Sequence, residues 1–201
     1  MKRCMLIRHG RTEANEKWLY CGSTDLCLSD AGREELLALR READYPPAVG
    51  LRFATSGMRR TEETLALLFG EGEHTALPGF REMDFGIFEM RSYEAMKEDP
   101  EYLAWITGDN TVNVCPGGES GAMMEARVLE AWRELERGPD TLLVTHGGPI
   151  AAIMASLFPD EGKNRYEWQP KNGRGFLLER DDETGPWRYR AIPEEEKWTG
   201  R

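Results

Sequence analysis

The chain has 201 residues, of which 40% are hydrophobic and 31% charged, so it is long enough to bury a core without disulfides or metals. Its formal charge of −10 disfavours nucleic acid and anionic membranes as partners, so positive charge for an anionic substrate has to be local. The four cysteines form no CxxC pair or zinc-like cluster, and there is no targeting segment or membrane-length apolar run. These features indicate reduced thiols, no metal site and a cytoplasmic location.

Strand-like and helix-like segments alternate along the first 80 residues. Short apolar runs predict buried strands, whereas apolar residues at every third or fourth position after a capping residue predict helices. In chain order these patterns predict a strand over 3–7, a polar loop over 10–28, a helix from Ser29 or Asp30 to about 43, a strand over 51–55, a helix over 59–69 and a short strand over 74–77.

The rest of the chain begins with a long irregular segment and then becomes regular. Residues 80–118 lack sustained periodicity and are expected to form a lid or substrate wall. In chain order the patterns predict short helical pieces over 92–98 and 100–106, a helix over 119–136, a strand over 141–145, a helix from Gly147 to about 157, a hairpin with strands over 174–180 and 186–192, and a charged tail over 193–201. The alternation predicts an α/β sandwich with a largely parallel sheet, in a single domain over 1–201.

Two of the three histidines directly follow predicted strands. His9 follows the first strand and His146 follows the strand over 141–145, and each is followed by glycine. Ligands of such sheets bind beyond the carboxyl ends of the strands, so we expect the two histidines to share one site. His74 has no such context and is expected at the surface.

Arginines accompany the same strand ends. Arg8 adjoins His9, and Arg59 and Arg60 follow the second strand. Guanidinium groups match the geometry of a phosphate, and the helix that starts at Gly147 offers free backbone N–H groups. The sequence therefore predicts a local phosphate-binding pocket in an acidic protein.

This set of residues suggests phosphoryl transfer to a histidine. A neutral His9 would attack phosphorus in line, with charge stabilisation by nearby cations. The expected ligands of the phosphate oxygens are Arg8, Arg60 and His146. Glu82 is the candidate general acid, which protonates the leaving group and later activates water, with Asp84 and Glu13 as alternatives.

Ordered motifs in the chain resemble those of the histidine phosphatases, the phosphoglycerate mutase-like superfamily. The matching blocks are LIRHGRTEAN at 6–15, YCG at 20–22, SGMRRT at 56–61, REMDFGIFE at 81–89, PGGES at 116–120 and VTHGGPI at 144–150. The first resembles the RHGxTxxN signature, and the third aligns with the SPLxRA segment, which selects Arg60 over Arg59. The chain departs from the family pattern at Gly57, Thr61 and Met90, where Pro, Ala and Gly are usual.

The resemblance implies a three-layer α/β/α sandwich and a phosphohistidine intermediate on His9, with no metal and no cofactor. It also implies a phosphate contact from Asn15. Cys21 and Gly22 lie in the second matching block and are expected at the edge of the site, and Gly147 is expected to contact phosphate.

Three functions remain open from the sequence. The first is a phosphatase for small phosphorylated metabolites, and the compact build resembles the bacterial α-ribazole phosphatases of cobalamin assembly. The second is a cofactor-dependent phosphoglycerate mutase, although related mutases are usually longer, so the short chain favours hydrolysis. The third is a non-catalytic phospholigand-binding protein, against which the joint presence of His9 and Glu82 argues. A monomer or a homodimer is expected.

Overall fold

The computed structural model describes residues 1–109, 111–182 and 184–193 and is built around one six-stranded sheet. The strands are β1 (Lys2–Arg8), β2 (Arg52–Thr55), β3 (Thr75–Ala76), β4 (Thr141–Thr145), β5 (Gly175–Arg180) and β6 (Arg188–Ile192). Their order across the sheet is β3-β2-β4-β1-β5-β6. The four strands from β3 to β1 pair in parallel, while β5 is antiparallel to both β1 and β6, which confirms the mostly parallel sheet.

Seven α-helices connect or flank these strands in the described ranges. They are α1 (Glu13–Glu16), α2 (Asp30–Glu42), α3 (Arg59–Phe69), α4 (Tyr93–Met96), α5 (Pro100–Ile106), α6 (Gly121–Arg137) and α7 (Gly147–Leu157). The predicted strands and longer helices are confirmed, with ends shifted by one or two residues. The predicted tail lies, except for Pro193, outside the described residues.

The prediction of a polar loop over 10–28 was wrong in part, because residues Glu13–Glu16 of this segment form α1. Thr12 and Asn15 form a reciprocal capping box, in which Asn15 Oδ1 accepts from Thr12 N at 3.0 Å and Thr12 Oγ1 accepts from Asn15 N at 3.4 Å. A single capped turn buries only Ala14 and shows no hydrophobic period, so pattern analysis cannot detect it.

Helices cover both faces of the sheet, as a three-layer sandwich requires. Successive side chains of β1 alternate between two separate cores, with Cys4 and Leu6 on one face and Met5 and Ile7 on the other. The first face packs against α6 and α7 through Val128, Trp132, Ile150 and Ile153. The second face packs against α2 and α3 through Leu36, Leu65 and Leu68. Burial on both faces is typical of a central strand and confirms the α/β/α architecture.

The irregular segment 80–118 is anchored by aromatic side chains. Phe88 and Tyr102 are fully buried, and their rings meet at 5.5 Å. Tyr20 joins this cluster, with its hydroxyl 2.8 Å from that of Tyr102. Whether the segment serves as a lid or as a substrate wall stays a prediction. Within the described ranges, no helix is both long enough and apolar enough to cross a membrane.

Candidate active site

Three neighbouring strands end at one place and carry candidate residues there. His9 follows β1, Ser56 follows β2 and His146 follows β4. The His9 N–H donates to Thr145 O at 2.9 Å, so the parallel ladder continues into the site. The His9 and His146 rings meet edge to face, with centroids 5.1 Å apart. The structure thus brings the two histidines together, whereas His74 lies elsewhere and contacts Glu62.

The His9 ring is buried and oriented by its neighbour in the chain. Nδ1 lies 2.7 Å from Gly10 O, and because a carbonyl can only accept, Nδ1 carries the hydrogen and Nε2 keeps its lone pair. Burial, then the charges of Arg60 and Arg8, hold the pKa of His9 well below its usual value. The ring is therefore neutral near pH 7, with its outer nitrogen able to act as a nucleophile.

The His146 ring is fully buried and has a protein partner at each nitrogen. Arg60 Nε donates to Nδ1 at 3.3 Å, and Nε2 lies 2.8 Å from Ser56 Oγ. Burial, followed by the charges of Arg60, His9 and Arg8, lowers the pKa of His146 well below its usual value. In this arrangement both ring nitrogens have protein partners, so a phosphate oxygen would have to replace one of them, and the direct phosphate contact expected of His146 stays a prediction.

Arg60 is fixed between His146 and the loop 22–24. Its Nη1 donates to Thr24 O at 2.8 Å and its Nη2 to Gly22 O at 2.7 Å, while only 1% of the residue is exposed. Burial lowers the pKa of Arg60, yet an arginine remains charged at neutral pH. The N–H groups of the same loop donate to Glu89, including Gly22 N at 2.8 Å. Both backbone groups of Gly22 are thus used in holding the loop.

Glu82 and Arg8 meet at the N-terminus of α7. Glu82 Oε2 accepts from Gly148 N at 3.0 Å, and Arg8 Nη1 donates to Pro170 O at 2.9 Å. A Cβ at Gly148 would lie 2.2 Å from Glu82 Oε1, and one at Gly147 would lie 3.3 Å from Arg8 Cζ. Glycine at both positions therefore lets the carboxyl and guanidinium groups approach the helix start closely.

Arg8 and Glu82 line a cavity of about 370 Å³ whose two ends differ in chemistry, whereas His9, Arg60 and His146 are not among its lining residues. Its polar end is lined by Arg8, Asn15, Cys21, Glu82 and Gly148. Its apolar end is lined by Leu19, Tyr20, Met83, Phe85, Trp105, Ile106, Met124, Ala151, Ala152 and Ala155. Gln169, beside Gly147, and the polar residues Thr111, Glu125, Arg165 and Tyr166 also line the cavity. A second cavity of about 390 Å³ is lined by residues of α6 and 77–80, and among the described residues none of the site candidates lines it.

Asn15 and Cys21, two residues expected to contact the substrate, both line the polar end of the cavity. Asn15 Oδ1 is used in the cap of α1, which leaves the amide nitrogen for a ligand. Cys21 Sγ lies 3.7 Å from Thr24 O, and burial raises the pKa of the Cys21 thiol. Cys21 is therefore a neutral thiol near pH 7, which suits a lining residue better than a nucleophile.

Several site residues were missing from the sequence-based set. Ser56 and Glu89 lie within the matching blocks at 56–61 and 81–89, so the resemblance could have identified both as site residues. Arg165 and Gln169 lie between α7 and β5, where no periodicity or motif marks them. Only the tertiary structure shows that Arg165 and Gln169 line the cavity.

Two departures from the family pattern have backbone consequences. Gly57 has a φ of 76°, a conformation that the usual Pro cannot adopt. Met90, where Gly is usual, has a φ of 59°, which costs a non-glycine residue about 1 kcal/mol. At Gly57 the backbone therefore differs from one that carries Pro, whereas Met90 adopts a conformation that the usual Gly would adopt without strain.

The chain resembles known proteins along most of its length. The histidine phosphatase superfamily (branch 1) matches residues 4–191. An adenosylcobalamin/alpha-ribazole phosphatase from Salmonella typhimurium is 31% identical over 183 residues, covering 85% of this chain and 87% of that protein. A 2,3-bisphosphoglycerate-dependent phosphoglycerate mutase from Xanthobacter autotrophicus is 29% identical over 169 residues, covering 76% of this chain and 79% of that protein. The crystal structure of the alpha-ribazole phosphatase from Shigella flexneri superimposes with a TM-score of 0.78 at 25% identity, over 96% of each chain.

Proposed function

The chain belongs to the histidine phosphatase superfamily and is a phosphatase, and from this premise we propose that it hydrolyses small phosphate monoesters through a phosphohistidine on His9. One observation carries the proposal. His9 is neutral, its Nδ1–H is held by Gly10 O, and its Nε2 lone pair stands at the strand ends where Arg8 and Arg60 concentrate positive charge.

Phosphate binding is assigned to groups that still have donors to offer. A guanidinium carries five N–H donors, and the contacts of Arg60 with His146, Thr24 and Gly22 use three of them. The proposed ligands of the phosphate oxygens are Arg8, Arg60, the Asn15 amide and the Gly147 N–H. His146 acts instead through Arg60, since both of its ring nitrogens have protein partners.

The proposed reaction has two displacements at phosphorus. In the first, the Nε2 lone pair of His9 forms an N–P bond, the P–O bond to the leaving group breaks, and the leaving oxygen takes the proton of the Glu82 carboxyl group. In the second, the Glu82 carboxylate takes a proton from water as the water oxygen attacks phosphorus. The N–P bond then breaks and its electron pair returns to His9.

Glu82 is the carboxylate best situated for this role. It lines the cavity and is held by Gly148 N at the start of α7. Asp84 accepts instead from Gly86 N at 2.8 Å, and Glu13 is a largely exposed partner of a surface lysine. Glu125 also lines the cavity, but it is exposed on α6, away from the strand ends.

The apolar end of the cavity favours a bulky, flat leaving group. Tyr20, Phe85 and Trp105 meet there with ring centroids between 5.2 and 6.2 Å apart. Such a wall suits an aromatic base better than the carboxylate of phosphoglycerate. We therefore propose α-ribazole 5′-phosphate as the substrate, in line with the relatives named for it. Independence from metals, a cytoplasmic location and a monomeric or homodimeric state stay predictions.

A panel of esters tests the proposed function. Phosphate release would be measured in excess EDTA from α-ribazole phosphate, p-nitrophenyl phosphate, a sugar phosphate and 3-phosphoglycerate. We expect release in EDTA, with the highest kcat/KM for α-ribazole phosphate. Conversion of 3- to 2-phosphoglycerate primed by 2,3-bisphosphoglycerate, faster than any hydrolysis, would favour a mutase instead. Loss of release in EDTA would contradict the metal-free mechanism.

A further inference from the structure

A chain of hydrogen bonds leads from Arg60 through His146 into the first turn of α3. Arg60 Nε lies 3.3 Å from His146 Nδ1, and His146 Nε2 lies 2.8 Å from Ser56 Oγ. Ser56 Oγ lies 3.1 Å from Thr61 Oγ1, and Thr61 Oγ1 donates to Met58 O at 2.7 Å. All five residues are buried, so these contacts are shielded from competing water.

The two ends of this chain fix the direction of every proton in it. A guanidinium Nε can only donate, so His146 Nδ1 accepts and the ring hydrogen sits on Nε2. A carbonyl can only accept, so the Thr61 hydroxyl hydrogen is committed to Met58 O. The Ser56 hydroxyl then accepts from His146 Nε2 and donates to Thr61 Oγ1, which is the one arrangement that satisfies each contact.

We propose that Ser56 and Thr61 are positioning residues that hold His146 in its Nε2–H tautomer and thereby hold Arg60 in place. The Thr61 oxygen is needed because it receives the Ser56 hydroxyl hydrogen. Without it, that hydrogen can turn to His146 Nε2, which moves the ring hydrogen to Nδ1. Two donors, Nδ1–H and Arg60 Nε–H, would then face each other, and the guanidinium would have to shift.

The consequence for catalysis rests on the proposed function of Arg60 as a phosphate ligand. Arg60 is held at three nitrogens, by His146, Gly22 and Thr24. Loss of one of these anchors misplaces a group that stabilises the transition state, and small misplacements of that kind slow enzymes by about 10- to 100-fold. The tautomer itself is a property of the folded protein and does not depend on any activity.

Nitrogen NMR of the ¹⁵N-histidine-labelled protein reads the tautomer directly, and the chain has only three histidines to assign. The variants are Thr61→Val, which replaces the hydroxyl by a methyl group, and Thr61→Ser, which keeps the hydroxyl. The matched control is Thr141→Val, which removes another buried hydroxyl that donates to a backbone carbonyl, at the far end of β4.

We expect His146 to be protonated at Nε2 in the wild type, Thr61→Ser and Thr141→Val, and to gain a clear Nδ1–H population in Thr61→Val. Thr61→Val should also lose about 10- to 100-fold in kcat/KM, with Thr61→Ser restoring most of it. If Thr61→Val does not fold, Ser56→Ala serves in its place, because it removes the acceptor of Nε2–H.

A wild-type His146 protonated at Nδ1 would overturn the proposal, and so would an unchanged tautomer in folded Thr61→Val. If the wild type hydrolyses no ester, the proposed function fails, while the NMR result still decides this inference by itself.

Discussion

The two ends of the cavity are built from different parts of the molecule and by different forces. The polar end lies beside the ends of β1 and β4, and its key side chains are fixed by hydrogen bonds, as Glu82 is to Gly148 N and Arg8 is to Pro170 O. The apolar end is formed by Leu19, Tyr20 and side chains of α6, α7 and the segment 80–118, which are held by packing.

This difference separates the reaction from the choice of substrate. In the proposed reaction, groups at the strand ends contact the phosphate, which every ester shares, whereas the apolar wall contacts only the leaving group. Substitutions at the polar end should therefore slow all esters, and substitutions at the apolar end should affect some esters and spare others. Three predictions test this division, and a fourth tests the charge state of the two buried histidines.

The largest effect is expected from His9→Ala at the polar end. Removing the nucleophile should lower phosphate release by at least about 10⁴-fold for every ester, because no N–P bond can form. Labelling with a ³²P-ester and acid quench should trap a phosphoenzyme in the wild type and none in the variant. His74→Ala, a change outside the site, is the control and should retain both. Turnover by His9→Ala within tenfold of the wild type would assign the nucleophile to another residue.

Glu82→Gln should have a smaller effect that depends on the leaving group. An alkoxide needs a proton, so the variant should hydrolyse alkyl esters about 10²- to 10⁴-fold more slowly. p-Nitrophenyl phosphate, whose leaving group needs no proton, should be slowed much less in the first displacement, as a burst of p-nitrophenol would show. Glu94→Gln, an exposed change on α4, is the matched control. Equal slowing of the bursts from all esters would move the acid role to a different group.

Ala155→Leu tests whether the apolar end of the cavity selects the leaving group. Ala155 lines the cavity on α7, and a larger side chain there takes space from the leaving group. We expect kcat/KM for α-ribazole phosphate to fall by about 10- to 100-fold, while that for ethyl phosphate changes little. Ala126→Leu makes the same substitution on the exposed face of α6 and should match the wild type. A loss shared equally by both esters would contradict the division of roles.

The smallest effect concerns the pH dependence of folding stability. Burial and nearby arginines lower the pKa of His9 and of His146 below 6.5, so the unfolded chain binds more protons than the native state in acid. The stability is therefore fully present above about pH 6.5 and is lost as the pH falls, by at most about 1.4 kcal/mol per pH unit for each histidine. Urea unfolding at pH 7, 6 and 5 measures this slope.

The matched variant for that measurement is His9→Asn, which removes one of the two titrating groups. Its free energy of unfolding should fall less steeply between pH 6.5 and 5 than that of the wild type. Identical slopes would show that His9 binds protons equally in the folded and unfolded chains.

Much of the fold follows from patterns that short stretches of chain carry. The strand predicted over 51–55 is β2, and the helix predicted over 59–69 is α3, because alternation and helical periodicity are local properties of the backbone. α1 escaped prediction for the same reason, since one capped turn is too short to show a period.

Part of the site also follows from local patterns. His9 and His146 stand directly after predicted strands, and the carboxyl ends of neighbouring parallel strands meet at one edge of a sheet. The ring centroids of His9 and His146 therefore lie 5.1 Å apart, although the two residues are far apart in the sequence.

By itself, the sequence determined the family, the order of strands and helices, and the residues at the strand ends. Only the tertiary structure decided the state and partners of those residues. Ser56 bonds to His146 from 90 positions away, and Arg60 from 86, so the tautomer of His146 depends on how β2, β4 and α3 assemble. The apolar end likewise exists only once 80–118 packs against α6 and α7. Side-chain contacts over such separations depend on long-range packing, and no local period of the chain encodes them.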